Sequence, residues 1–276
     1  MFKTSFQIPI SNALRKGGEV LSSYFGKVTN IKVKENLSSV VSEADVESEK
    51  VIIDLITKDF PDHNIISEES GYNYKGSSMT WIVDPLDGTS NFVAGLPWFG
   101  VLIAVMKDFV PIAAGAFLPA GKHLYYAEQS QKSSLNGRII RVADTKSLKD
   151  ALVAYSLDYS DDPNETLKET SILAKLVNNA RNIRATNCLL DFCYTADGRM
   201  GAAVNYHEKI WDIAAPWLIV KLAGGMVTDI DGKELDFTVS MENYKKDFPV
   251  IASNGLIHDK LISLMRYDLT SITGKS

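Results

Sequence analysis

The chain predicts a layered α/β sandwich rather than a doubly wound parallel sheet. Amphipathic helical segments and apolar strands are interleaved without a regular strand–helix–strand alternation. Hairpin signals recur at Leu135-Asn136-Gly137-Arg138 and at Asp231-Gly232. Two long apolar strands, Phe99–Met106 and Pro111–Phe117, follow one another with Lys107-Asp108 as the turn. A length of 276 residues with 45 % hydrophobic content can bury a sizeable core. No repeat, linker or low-complexity run divides it. We read residues 1–276 as one domain, with an N-terminal half over about 1–145 and a C-terminal half over about 146–276.

Ile8, Ile10, Leu14, Val20, Leu21 and Tyr24 repeat at helical spacing, which predicts a helix over about 6–25 with Gly26 as its stop. Ile31–Val33 reads as extended. Ser42, with Asp45 three residues on, resembles a capping box opening a helix that Pro61 closes. The acids Glu43, Asp45 and Glu47 suit the positive end of its dipole. Ile65-Ile66 is a short strand and Ser67-Glu68-Glu69-Ser70-Gly71 an acidic loop behind it. Residues 72–80 read as a loop. After the strand His123–Ala127 and the Asn136-Gly137 hairpin, the second half opens with the strand Ala151–Ser156. Asp161-Asp162-Pro163 caps a helix over about 164–178. Ile183-Arg184 is extended, Cys188–Ala196 a buried helix and Met200–Val204 a strand. Trp211–Ala223 is an apolar helix with Asp212 in its first turn and Gly224-Gly225 as its stop. A strand at Pro249–Ala252 and a helix at Ile257–Tyr267 complete the order.

The chemistry concentrates in Trp81-Ile82-Val83-Asp84-Pro85-Leu86-Asp87-Gly88-Thr89-Ser90-Asn91-Phe92. An apolar strand runs into Asp84, and Pro85, which has no N–H, is expected to end the ladder. Two carboxylates held at a strand end with no base among them repel unless a cation lies between. Hard divalent ions such as Mg²⁺ take such oxygen ligands and bridge to phosphate. Gly88 lets backbone approach an anion, and Thr89 adds a hydroxyl. The bland alternative is a strand followed by an Asp-Pro and Asp-Gly turn. The spacing fits neither an EF-hand, which needs a Glu at its twelfth position, nor a haloacid-dehalogenase pair, which needs one residue between the aspartates. Asp212, the lone acid at the entrance of an apolar helix, is by itself a dipole or cap residue. A metal site built from Asp84 and Asp87 needs ligands from elsewhere in the chain, however, and Asp212 is a good supplier.

Net charge is −5, which gives no support to a general nucleic-acid or anionic-membrane role. No stretch approaches the length of a membrane span. Cys188 and Cys193, five apart in one predicted helix, read as two reduced thiols. We expect a cytoplasmic protein.

Ser67-Glu68-Glu69-Ser70-Gly71, the Trp81–Phe92 stretch, and Trp211-Asp212-Ile213-Ala214-Ala215 followed by Ala223-Gly224-Gly225 together resemble the inositol monophosphatase family. These are Mg²⁺-dependent, lithium-sensitive phosphatases of small phosphate monoesters. The resemblance implies an αβαβα layered sandwich, commonly a homodimer, with two to three Mg²⁺ ions. It implies that Glu68, Asp84 and the Leu86 carbonyl hold one ion. Asp84, Asp87 and Asp212 would hold a second, with Glu68 helping to place a third through waters. Gly88 and Thr89 N–H groups would grip the phosphate. The Thr89 hydroxyl, with Asp45 behind it, would orient the attacking water, and Lys34 lies at the spacing of a basic residue near the site. Such chemistry rests on positioning and charge neutralisation and needs no covalent nucleophile.

The departures fall on the substrate side. Arg184-Ala185-Thr186-Asn187-Cys188-Leu189 replaces the Gly-Thr/Ser-Ala run that inositol-hydrolysing members carry after an arginine. Asn205 stands where they place a sugar-binding glutamate, seven residues before the last metal aspartate. Pro216 stands where Gly is usual. Leu189-Leu190-Asp191-Phe192-Cys193 leans toward the adenosine-3′,5′-bisphosphate phosphatase branch, whereas Ser90-Asn91-Phe92 has the inositol-phosphatase form. The leading reading is a phosphatase of inositol 1-phosphate or a related polyol or sugar phosphate, with Asn187 and Asn205 toward the substrate. The alternatives are the same chemistry on a nucleotide bisphosphate, histidinol phosphate, fructose 1,6-bisphosphate or NADP, and a regulatory binding protein of the same fold.

Overall fold

The computed structural model describes residues 5–27, 31–33 and 40–266. Lys34 and Tyr267, both named in the sequence reading, lie outside the described residues. Helix α1 (Gln7–Tyr24) is followed by the ribbon β1 (Ile31–Val33) and β2 (Val40–Ser42), then α2 (Glu43–Asp59). β3 (Asn64–Ser67), β4 (Gly71–Asn73), β5 (Met79–Asp87) and the short α3 (Thr89–Val93) lead into a meander. Its strands are β6 (Gly100–Lys107), β7 (Val110–Leu118), β8 (His123–Glu128), β9 (Ser134–Leu135) and β10 (Arg138–Ile139). The second half holds β11 (Leu152–Tyr155), α4 (Pro163–Asn179), β12 (Asn182–Arg184), α5 (Leu190–Ala196), β13 (Ala202–Glu208) and α6 (Ile210–Leu222). It closes with β14 (Met226–Asp229), β15 (Phe248–Ser253) and α7 (His258–Met265).

Eight strands form one sheet in the order β10-β9-β8-β7-β6-β5-β3-β4, and five form another in the order β12-β11-β13-β15-β14. The strand β6 explains why they stack in layers. Leu102, Ala104 and Met106 enter one core while Val101, Ile103 and Val105 enter another, so period-two alternation buries both faces. One face packs on α1 and α2 through Ile10, Leu14, Leu21 and Ile52. The other packs on α5 and α6, whose far side meets Ala154, Ala203, Val250 and Ala252 of the second sheet. The opposite face of that sheet packs on α4 and α7 through Ile172, Leu176, Leu261 and Met265. The result is the expected αβαβα sandwich.

Asn136 (φ 50°) and Gly137 (φ 78°) make the left-handed pair that a two-residue hairpin requires. Asp162 caps α4 through its side chain on the Asn164 N–H at 2.9 Å. Other expectations need correction. Residues 72–80 are not all loop: β4 and the start of β5 lie there, and the Asn64 side chain accepts from the Lys75 and Ser77 N–H groups. Helix α5 starts at Leu190, so Cys188 precedes it. Asp231-Gly232 makes a turn, with the Gly232 N–H on the Asp229 carbonyl, but no strand pairs back after it. Instead β14, unforeseen behind two glycines, pairs with the distant β15.

Gly100 opposes Asp87 in the ladder, and it is glycine for space. A Cβ there would lie 2.3 Å from the Phe117 carbonyl oxygen and 2.9 Å from Leu189 Cδ1. Backbone cannot swing aside as a side chain can, so Gly100→Ala should destabilise by about 3 kcal/mol. A denaturant midpoint equal to that of the parent would show that the strands yield freely.

Candidate functional site

The aspartates of β5 meet because the strand is irregular. Residues three apart in a regular strand point to opposite faces. Between Asp84 and Asp87 the pairing register with β6 shifts, and both carboxylates reach the same place. Pro85 therefore does not end the ladder as expected. Its missing N–H falls inside the bulge, where no ladder bond is required. The bulge is held by the Leu86 N–H on Asp84 Oδ1 (3.0 Å) and the Ser48 hydroxyl on the Pro85 carbonyl (2.8 Å). Behind it Gly88 takes a left-handed conformation (φ 85°). A Cβ there would meet the Trp98 carbonyl at 2.5 Å. The Thr89 hydroxyl donates to the Leu86 carbonyl at 2.9 Å.

Strands β3 and β5 run parallel with Ser67 beside Val83, so Glu68 leaves its strand next to Asp84. Helix α2 fixes this second acidic loop as well. Glu49, buried one turn beyond Asp45, accepts both the N–H and the hydroxyl of Ser70 at 3.0 Å. Asp45 is fully buried, with a carboxylate oxygen within 4.8 Å of ligand atoms on Glu68 and Glu69. A dipole partner at a solvated helix end would be exposed, so the dipole reading of Asp45 is incomplete.

The C-terminal half supplies the opposite wall. Asp212 Oδ2 accepts the Lys209 N–H at 2.6 Å, which holds the carboxylate at the start of α6. Pro216 lacks the N–H that would bond the Asp212 carbonyl one turn back. Asp87 Oδ1 accepts the Leu189 N–H at 2.8 Å, which ties the β5 bulge to the segment before α5. That segment is itself pinned by Asp191, which accepts from the Thr186 hydroxyl at 2.8 Å. Strands β11 and β13 are parallel, so Asp158 and the Asn205–Glu208 segment emerge at the same end. A second register shift, between Asn205 and Glu208, turns both into the cleft.

Carboxylate oxygens of Asp84, Asp87 and Asp212 lie within 4.8 Å of one another. Burial, then the charges of Glu68, Asp87 and Asp212, pushes the Asp84 carboxyl well above the usual range. Asp87 is raised by burial and Asp212, against the opposing Leu189 N–H. Asp212 is pushed up to about 7 by burial and Glu68, against the Lys209 N–H. Glu208 is raised by burial and by Asp212, Asp87 and Asp158. Among the described residues lining the cleft, Lys209 is the only Lys or Arg, and its ammonium sits on Asp247 at 2.5 Å. An all-oxygen, anionic donor set with no ammonium inserted fits a hard divalent cation.

The cleft encloses about 570 Å³ and brings together Glu68, Asp84, Leu86, Asp87, Gly88, Thr89, Asn187, Asn205 and Asp212. Asp45 stands behind it, and the Thr89 hydroxyl is on Leu86 rather than on Asp45. Asn187 and Asn205 both reach the cleft, but their amides bond to protein. The Asn187 amide donates to the Leu157 carbonyl (2.8 Å) and to Asp158 Oδ1 (3.2 Å). The Asn205 amide donates to Glu208 Oε1 (2.6 Å). Sequence reasoning missed Glu208, Asp158 and His207. His207 also lines the cleft, with its ring on Glu169 at 2.9 Å. The available signal for Glu208 was an acid two residues before an apolar helix, but only the bulge discloses its direction.

A family model described as the inositol monophosphatase family matches residues 4–267. A Thermotoga maritima protein named fructose-1,6-bisphosphatase/inositol-1-monophosphatase is 36 % identical over 95 % of this chain and 96 % of its own. A Haemophilus influenzae protein named Nus factor SuhB is 34 % identical over 79 % of this chain and 83 % of its own. The crystal structure of the extragenic suppressor protein suhB from Bartonella henselae superposes with a TM-score of 0.87 at 29 % identity, covering 96 % of this chain and all of that one. The matched span takes in both acidic loops, the β5 bulge and the start of α6. The chain belongs to the inositol monophosphatase family, a family of metal-dependent phosphatases.

Proposed function

We propose that the protein hydrolyses a small phosphate monoester with Mg²⁺, most readily inositol 1-phosphate or a related polyol or sugar phosphate. The observation that carries this reading is the convergence of Asp84, Asp87 and Asp212 on one cleft, their carboxyls raised by burial and mutual repulsion. Glu68, Asp84, the Leu86 carbonyl, Asp87 and Asp212 would hold the ions. Bound Mg²⁺ supplies positive charge for the phosphate and a water acidic enough to attack it. The chain does the positioning. Gly88 brings backbone N–H groups close to the phosphate, and the Thr89 hydroxyl, turned from Leu86 toward the water, orients it with Asp45 behind. Lys34 would add a cation near the phosphate. The family resemblance supports two further parts of the reading, a homodimer and a cytoplasmic location. No helix among the described residues is long and apolar enough to cross a membrane.

Relatives named Nus factor SuhB favour a second reading, a binding role in which turnover is secondary. The test is phosphate release with Mg²⁺ over inositol 1-phosphate, histidinol phosphate, fructose 1,6-bisphosphate, adenosine 3′,5′-bisphosphate and NADP, with EDTA and Li⁺ controls. We expect turnover abolished by EDTA and highest on the polyol phosphate. Folded protein that turns over none of them would move the assignment to the binding role.

A further inference from the structure

Asn187 and Asn205 do the same thing on the wall of the cleft that the C-terminal half supplies. Each amide holds one oxygen of a carboxylate: Asn205 Nδ2 is 2.6 Å from Glu208 Oε1, and Asn187 Nδ2 is 3.2 Å from Asp158 Oδ1. The backbone fixes which way these amides point. Asn205 Oδ1 accepts the His207 N–H at 3.0 Å, and the Asn187 amide is also anchored on the Leu157 carbonyl at 2.8 Å. The second oxygen of each carboxylate, Glu208 Oε2 and Asp158 Oδ2, has no hydrogen-bond partner among the described residues. Both residues line the cleft.

We propose that Glu208 and Asp158 determine the substrate class. They select a monoester whose alcohol half offers hydroxyl or ammonium donors, and they reject one that carries a second phosphate. The inference rests on the phosphatase reading above. Glu208 is raised by burial and then by the charges of Asp212 and Asp87, which metal ions bound at the site would offset, leaving it a carboxylate. A carboxylate is an acceptor, so its remaining oxygen must be met by a donor from the ligand. Hydroxyl and ammonium groups are donors. A second phosphate brings roughly two more negative charges and only acceptors at neutral pH, and like charges placed together across an interface are strongly unfavourable. Lys209, which could offset it, is already held by Asp247 at 2.5 Å. Asn187 and Asn205 are then positioning residues that act through the two acids, rather than groups that touch the substrate.

The test compares kcat/KM for inositol 1-phosphate and inositol 1,4-bisphosphate with saturating Mg²⁺, in the parent protein and in Glu208→Gln/Asp158→Asn. Both substitutions keep shape and remove charge. The parent should favour the monophosphate by about tenfold or more, the size expected of one like-charge contact at a half-exposed site. The double variant should bring the two substrates to within a few-fold, chiefly by lowering KM for the bisphosphate. Equal or better turnover of the bisphosphate by the parent overturns the inference and leaves the phosphatase reading standing. So does a preference that survives intact in the double variant. Failure to turn over either compound, with another phosphate ester of the panel above hydrolysed, leaves the phosphatase reading standing and overturns this inference; failure on the whole panel removes both.

Discussion

Asp84→Asn lowers kcat by roughly a thousandfold or more while the protein stays folded, and Asp212→Asn does the same. Disturbing partners that merely orient metal ligands typically costs about 10–100-fold, and removing one preorganised electrostatic contact about 10²–10³. Each of these substitutions removes a charged ligand from the centre of the site. The amide is nearly isosteric, so packing is kept. In the metal-free protein the substitution relieves burial of a charge among charges, so the melting temperature should hold or rise. Together, lost activity and undiminished apo stability separate a ligand from a structural residue. Near-parental phosphate release by either variant would show that the ligand assignment is wrong.

Metal-free protein should lose stability as pH rises from about 5 to 8. Asp84, Asp87 and Glu208 have carboxyls raised well above the ordinary range, and Asp212 is pushed up to about 7. A raised carboxyl binds its proton more tightly folded than unfolded. Its contribution is complete below the unfolded value near 4 and is lost as pH climbs through the folded value. Buried His258, held between the hydroxyls of Ser253 and Thr228, runs the other way. Burial lowers its pKa, so it favours the folded state above about 6.5. Four carboxyls outweigh one imidazole. A melting temperature falling by roughly 5 °C or more across that range in EDTA is expected, since about 1 kcal/mol shifts a protein of this size by a few degrees. Saturating Mg²⁺ should flatten or reverse the slope, because ligands bind metal in their deprotonated form. A flat or rising profile in EDTA would contradict the proposed crowding.

Most strands were legible because burial on both faces writes long apolar runs, as in Phe99–Met106, whereas the order of the layers followed from the family resemblance. Turn chemistry gave the Asn136-Gly137 hairpin and the Asp162 cap. What escaped depends on partners distant in the chain. Met226–Asp229 is too short and too close to Gly224-Gly225 to stand out, and it becomes a strand only by pairing with Phe248–Ser253. Asp45 looked like a helix-dipole residue because its burial depends on the loop carrying Glu68, more than twenty residues on. Glu68 entered through the family resemblance, and Asp84 and Asp87 could be found by residue type and spacing. Their convergence, and the existence of Glu208, could not, since a bulge changes which face a residue occupies without leaving a distinctive residue behind.

The register shift between Asp84 and Asp87 gives the motif an unusual kind of fragility. The side chains between the two aspartates could drift while the count of residues could not. Loss of a single codon there would leave the two aspartates on one face by plain alternation, but it would erase the bulge and with it the place of the Leu86 carbonyl in the cleft and the hold of the Ser48 hydroxyl on Pro85. Over evolutionary time the segment should therefore tolerate exchange of letters and reject insertions and deletions. Its length is under firmer selection than much of its composition.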